Sequence, residues 1–317
     1  MLIVSLRFAL YHLQTLLLFT GDQLLDTVIP GTAFGTLAAL SGQVLGLPEQ
    51  PALTILSHLP LLFGWLWLVI LQFCLQNQRN SLEEDTINKP WRPMPTKRIT
   101  RTQMTYLYTS TNVLAAVVSY LLGVFPIFVV YTILITAYND FGGSDHSGTT
   151  RNLFCGAGFA CYFSGAMSIA LSPTGSVPMG YYGWKWTLLI TYGVLATTIQ
   201  TQELRDEAGD RARGRRTLVT ELGRRGTLWT VIVAVPFWSL YLPLGFFAGG
   251  WLTTILPTTL GGCLVATAVR AMYNGSGNSS LDRRMYKIWC LWMFGFCPLP
   301  LLHALSRSDN WNCCGDG

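Results

Sequence analysis

NQRNSLEEDTINKPWRPMP, residues 77–95, follows directly on an apolar run and gathers hard-oxygen side chains, cations and three prolines in one segment. If the apolar helix continues through it, Asn77, Ser81 and Asp85 recur at i, i+4 and i+8 and lie along one face. Three oxygen-bearing groups then aim at one spot. Such a partial shell suits Mg²⁺, which takes a few protein oxygens and shares the rest of its octahedron with phosphates and water. Glu84 lies about 100° further round the helix, within reach of an adjacent ion, while Glu83 is read as solvated. Helix capping by Ser81, or an ordinary polar loop, explains the same residues. Beyond it, Pro90, Pro93 and Pro95 break the helical hydrogen-bond ladder. The stiff loop that results keeps Lys89 and Arg92 beside the metal end, where a guanidinium suits two-point contact with a diphosphate. Lipid headgroups are the alternative partners for this basic stretch, above all for Lys97, Arg98 and Arg101.

ELRDEAGDRARGRRTL, residues 203–218, echoes that order, acids first and arginines after. Glu203, Asp206 and Asp210 are spaced i, i+3 and i+7 and share one helical face. Like charges at this spacing destabilise a helix unless a cation compensates them. A divalent metal does so, and Arg213, Arg215 and Arg216 would face the same anion; ion pairs among these acids and arginines explain the spacing as well.

The rest of the chain is apolar. Of 317 residues, 50% are hydrophobic and 12% charged, about half the charge of a soluble domain. Apolar runs near the length a bilayer demands fall at 21–44, 55–77, 103–122, 125–138, 152–172, 184–204, 227–245, 250–272 and 287–305. The expected fold is an all-α integral membrane bundle of about nine helices, one domain over 1–317. Its cytoplasmic motif loops are 78–102 and 205–226, with a short tail at 306–317. The apolar start, Leu2 to Phe19, is an extra span or an interfacial helix; Asp22 and Asp26 follow it without a cleavage site, so it is expected to be retained.

Lys and Arg sit in the connections after spans two, four, six and eight, and are absent from 45–54, 123–124, 173–183 and 246–249. By the positive-inside rule the motif loops and the N-terminus face the cytoplasm, with the endoplasmic reticulum as the expected membrane. The net charge of +5 therefore reflects topology, and no nucleic-acid partner is expected. The sequons Asn274-Gly-Ser276 and Asn278-Ser-Ser280 then face the cytoplasm and stay unglycosylated. The cysteines show no zinc spacing, and nothing indicates an obligate protein partner.

These residues resemble the UbiA superfamily of intramembrane prenyltransferases over nearly the whole chain. Glu203, Asp206, Asp210, Gly209, Gly214, Arg216 and Thr217 fit its second motif, and Asp85 to Pro93 fits its DxxNKPxRP segment. The resemblance implies nine helices around a central apolar cavity open to the motif loops, with Mg²⁺ and a prenyl diphosphate as cofactor and substrate. It implies that Tyr138 and Asn139 help hold the diphosphate, with Arg151 nearby. The first motif departs: Gln78 and Ser81 stand where the family's NDxxDxxxD has aspartates. The remaining NQxxSxxED is similar to fungal UbiA-type membrane terpene cyclases, which implies ionisation of a prenyl diphosphate, farnesyl diphosphate by the resemblance, and cyclisation of the chain. The alternative is prenyl transfer to an aromatic or other lipophilic acceptor. Trp65, Trp67, Tyr106, Tyr162, Phe163, Tyr192, Trp229 and Trp238 are candidates for shielding a carbocation with their π faces, with packing or interfacial belts as the commoner use.

Overall fold

A computed structural model describes residues 2–173, 179–274 and 279–312. Among these the chain is helical with no strand: α1 (Leu2–Gln23), α2 (Ile29–Leu40), α3 (Ala52–Ser57), α4 (Leu59–Asn80), α5 (Leu82–Asn88), α6 (Arg101–Leu121), α7 (Phe125–Asn139), α8 (Gly148–Leu171), α9 (Gly180–Leu188), α10 (Ala196–Thr198), α11 (Gln200–Arg213), α12 (Leu218–Leu240), α13 (Trp251–Tyr273), α14 (Ser279–Phe294) and α15 (Leu299–Asn312). Wider π turns occupy Leu24–Val28, Leu189–Leu195 and Tyr241–Phe246.

Backbone groups in a bilayer must be satisfied within the chain, which is why the apolar runs are helices. Five helical runs are long and apolar enough to cross: Leu59–Asn80, Gly148–Leu171, Leu218–Phe246, Trp251–Tyr273 and Ser280–Ser306. The other expected crossings fall on helices that are interrupted, shorter or more polar. The run at 21–44 is split by the π turn between α1 and α2, and 125–138 becomes the 15-residue α7. Leu2 to Phe19 lies within α1, which runs through the π turn into α2. Bulky apolar side chains fill the interior, where Phe34 of α2 stacks on Phe163 of α8 at 4.2 Å.

Local chemistry sets the ends nearest the site. Thr100 opens α6 with a reciprocal capping box to Gln103, and Ser147 caps α8 through the Thr150 amide. Gly214 ends α11 in the left-handed conformation (φ 73°), which lets the chain reverse into α12, capped by Thr217. The basic connections meet at one end of the bundle: Arg213 bridges Glu84 and Asp145, and Arg224 pairs with Asp282. At the other end His58 bonds the Ala170 carbonyl. Both sequons extend into 275–278, and Cys313 and Cys314 lie at the tail; these positions are outside the described residues.

Candidate functional site

The first cluster is not one continuous helix. α4 stops at Asn80, Ser81 takes a non-helical conformation (φ −122°, ψ 33°), and α5 starts again at Leu82. The single face expected for Asn77, Ser81 and Asp85 is therefore broken at its middle member. Ser81 turns its hydroxyl back to the Asn77 carbonyl at 2.8 Å. Asn77 donates to Asn139 at 3.0 Å, which ties α4 to the end of α7. Gln78 points away from the acids and donates to the Phe19 carbonyl of α1.

The break swings α5 against α11, and one contact registers the two motifs. The Asn88 side-chain amide donates to the Asp206 carbonyl at 2.9 Å and accepts from the Gly209 amide at 3.1 Å. A Cβ on residue 209 would stand 2.3 Å from the Asn88 side chain, so glycine is the residue that admits this clasp.

With the helices so placed, the cations of each motif pair with the acids of the other. Lys89 meets Asp206 at 3.2 Å. Arg213 and Arg215 meet Glu84 at 3.2 and 3.1 Å. Arg92 joins Asp85 at 2.7 Å and Asp22 of α1 at 3.3 Å. Arg151, at the start of α8, reaches Glu203 at 3.0 Å and Asp210 at 3.6 Å, and donates to the Tyr138 hydroxyl. Arg205 forks onto Asp206, its own neighbour. The acids of α11 are thus compensated by arginines and a lysine. Among the described residues, no three carboxylates, imidazoles or thiols converge on one ion.

The network keeps spare valences. Asp85 Oδ2 and Asp210 Oδ2 are buried and accept no hydrogen bond, and one Arg215 terminal nitrogen donates none. A partnerless oxygen on Asp85, one on Asp210 met only by Arg151 at 3.6 Å, and an unpaired guanidinium N–H suit a divalent cation and a phosphate that share one another. The residues present therefore fit Mg²⁺ with few protein ligands. Burial pushes the Asp85 and Asp210 carboxyls up, outweighing their neighbouring cations. Burial acts on Asp206 too, but Lys89 and Arg205 outweigh it and hold that carboxyl well below the usual range.

The other predicted site residues fall on both sides of this description. Lys89, Arg92, Tyr138, Asn139 and Arg151 are buried at the motif end, and Arg213 is half-buried there. Arg216 lies outside, its side chain 64% exposed and paired with Glu221; the buried cation is its neighbour Arg215. Arg98 holds the proline loop on α1, bonding Thr15, Tyr11 and Gln14 and stacking over the Tyr11 ring. Arg205 and Asp145 join the network without having been singled out, Asn88 enters from the DxxNKPxRP segment without a role having been expected of it, and Asp22 had been noted only as an acid after the apolar start. Spacing gave no signal for Arg205 and Asp145, though an acid inside an apolar run, as at Asp22, is one.

Below the charges lie three small interior cavities, of ≈ 60, ≈ 80 and ≈ 10 Å³, all lined by Phe159. Tyr162 and Phe163 are the expected shielding aromatics that border them. Tyr106 and Trp229 are exposed on the outside of the bundle. The rings that do enclose the space include Phe73, Tyr131, Tyr138, Phe154 and Trp289. A separate groove of ≈ 740 Å³ runs between α1 and α14, with Lys89, Arg205, Asp206, Arg283 and Lys287 at its charged end and Leu25, Ile29, Leu291 and Phe294 along its apolar end.

Comparison with known proteins places this arrangement. The chain is 30% identical to the fumagillin beta-trans-bergamotene synthase of Aspergillus fumigatus over 76% of its length and 81% of that protein's. It is 27% identical to the polyprenyl transferase eriF of Hericium erinaceus, over 88% of this chain and 90% of the other. Among solved structures, a UbiA homolog from Archaeoglobus fulgidus bound to GPP and Mg²⁺ superposes with a TM-score of 0.52 at 13% identity, covering 90% of this chain and 99% of that one. The sequence profile described as the UbiA prenyltransferase family matches residues 28–292, and the chain is a member of that family.

Proposed function

We propose that this protein is a Mg²⁺-dependent membrane terpene cyclase that ionises a prenyl diphosphate, farnesyl diphosphate by the resemblance, and cyclises the chain with release of diphosphate. The observation that carries the reading is the condition of the first motif. Gln78 is committed to the Phe19 carbonyl and Ser81 to the Asn77 carbonyl. That leaves Asp85 and Glu84 as its carboxylates toward the second motif. The A. fumigatus relative, named for a synthase that makes bergamotene, favours the same reading.

Asp85, Glu84, Glu203, Asp206 and Asp210 would hold the metal, with Asn77 and Ser81 beside them. Mg²⁺, when bound, neutralises charge developing on the leaving diphosphate. Lys89, Arg92, Arg151 and Arg215 are already desolvated, Arg213 is partly so, and all five are oriented by carboxylates. They can turn to phosphate oxygens with little reorganisation, which makes such preorganised charge effective. Tyr138 and Asn139 border the leaving group. The prenyl chain would enter among the aromatic rings that line the small cavities, parting them as it binds, so that π faces shield a cation and water is excluded. The distribution of Lys and Arg supports a cytoplasmic motif end, and the membrane proposed is that of the endoplasmic reticulum.

A second reading, prenyl transfer to a lipophilic acceptor, is favoured by the groove between α1 and α14, which has room for another molecule next to Lys89 and Asp206. Gas chromatography with mass spectrometry separates the two. Microsomes holding the protein, given Mg²⁺ and farnesyl diphosphate without acceptor, are expected to yield a cyclic hydrocarbon or alcohol that disappears in Asp85→Asn. No product from farnesyl, geranyl or geranylgeranyl diphosphate, with expression verified, would overturn the cyclase reading in favour of transfer.

A further inference from the structure

Asp26 is an acid within the apolar run 21–44 that the metal and diphosphate chemistry does not use. It sits in the π turn at Leu24–Val28, where the widened backbone interrupts the α1 to α2 run. Such turns are frequent at functional sites, and an ionisable residue inside a membrane segment is costly to keep. Its carboxylate accepts one hydrogen bond from the Tyr286 hydroxyl of α14 and another from Thr27 Oγ1 at 3.0 Å.

The position is what gives this acid a task. Asp26 borders two of the interior cavities. One also touches Arg151 and Glu203, at the diphosphate end. The other is walled by Phe34, Phe163 and Phe296 and is almost wholly apolar. Asp26 therefore stands where the polar cavity meets a narrow apolar seam between aromatic rings, with Phe159 and Trp289 lining both beside it. Tyr286 links it outward: Arg205 lies 4.0 Å over the Tyr286 ring and also forks onto Asp206 of the second motif.

Resting on the cyclase reading, we infer that Asp26 is the base that ends the reaction. Ionisation leaves a carbocation among these aromatic rings, which part to admit the chain, and the chain becomes a neutral alkene only when a proton is lost from a carbon next to the cationic centre. That C–H bond breaks, its electron pair becomes the new C=C bond and quenches the positive charge, and the proton moves to a carboxylate oxygen of Asp26. From there it passes to the released diphosphate. Tyr286 and Thr27 fix the carboxylate in one orientation, which selects the carbon that is deprotonated. A base so placed acts after diphosphate has left, so its removal changes what is made and not how fast diphosphate appears.

The test compares Asp26→Asn with the wild type in microsomes supplied with Mg²⁺ and farnesyl diphosphate, measuring diphosphate release and product composition together. Diphosphate release is expected to stay within about threefold, while the main alkene falls by about 100-fold, the low end of what a positioned base contributes. Water-quenched alcohols and alkenes from earlier deprotonation replace it, and Asp26→Glu restores part of the original alkene. A wild-type product ratio in Asp26→Asn overturns the inference, as does parallel loss of release and product in a folded variant. If Asp26→Asn does not accumulate, Tyr286→Phe decides: a shifted ratio at unchanged release supports the base, and an unchanged ratio overturns it. Absence of any cyclic product from the wild type overturns the cyclase reading itself, a separate outcome from an unchanged ratio in the variant.

Discussion

The two acid-then-base clusters read alike and fold differently. Residues 203–213 form one helix, α11, and its three acids keep the common face that their spacing gives. Residues 77–88 are two helices hinged at Ser81, so Asn77 and Asp85 reach the site from separate elements. The straight motif supplies a rigid row of carboxylates, while the broken one folds over it and brings Lys89 and Arg92 with it. Spacing along a sequence translates into geometry only while the backbone period holds, and the first motif serves the site by losing it.

The largest effect that bears on this contrast is at the acids. Asp85→Asn and Asp206→Asn are each expected to lower diphosphate release by roughly 100-fold or more, as loss of a preorganised charge at a leaving group does. Full activity in either variant, measured as released diphosphate in microsomes, would show that one motif works without the other.

A second comparison uses neighbours. Arg215 is buried between Glu84, Asp145 and Asp210, whereas Arg216 pairs with Glu221 at the surface. Arg215→Ala takes one of two cations from each of the buried Glu84 and Asp210, which keep Arg213 and Arg151, a loss toward the low end of about 3–5 kcal/mol, and is expected to lower both the thermal midpoint and activity. Arg216→Ala should stay within about 0.5 kcal/mol of the wild type, as surface changes do. Equal effects of the two would contradict the assignment of the buried position.

A smaller loss than that of Arg215→Ala is expected at the clasp. Gly209→Ala displaces the Asn88 side chain, and leaving its partners unpaired costs about 1–3 kcal/mol. In the double variant Gly209→Ala/Asn88→Ala the two losses should not add, because both remove one interaction. Additive shifts in thermal midpoint would mean that Asn88 and Gly209 act separately.

What the residues disclosed in advance divides along the same line. Composition and apolar runs gave an all-helical membrane bundle, and the Lys and Arg pattern gave the end at which the site gathers. Both follow from bulk solvation, which is additive along a chain. The acids of α11 were readable because their helix is regular. The hinge at Ser81 was not, since Ser, Glu and Asp in sequence suit a helix start as well as a helix interior. Nor was the choice of Arg215 over Arg216, which depends on the left-handed turn at Gly214. Asp22 and Asp26 stood in view as charges within an apolar segment, but their partners, Arg92 and Tyr286, come from distant parts of the chain.

The central claim, that both motifs hold one metal–diphosphate group, is tested most directly by binding without turnover. Isothermal titration of the purified protein in detergent with an unreactive thio-analogue of farnesyl diphosphate should show binding that requires Mg²⁺ and is lost in Asp85→Asn and in Asp206→Asn alike. Wild-type affinity in either variant, or binding indifferent to Mg²⁺, would contradict it.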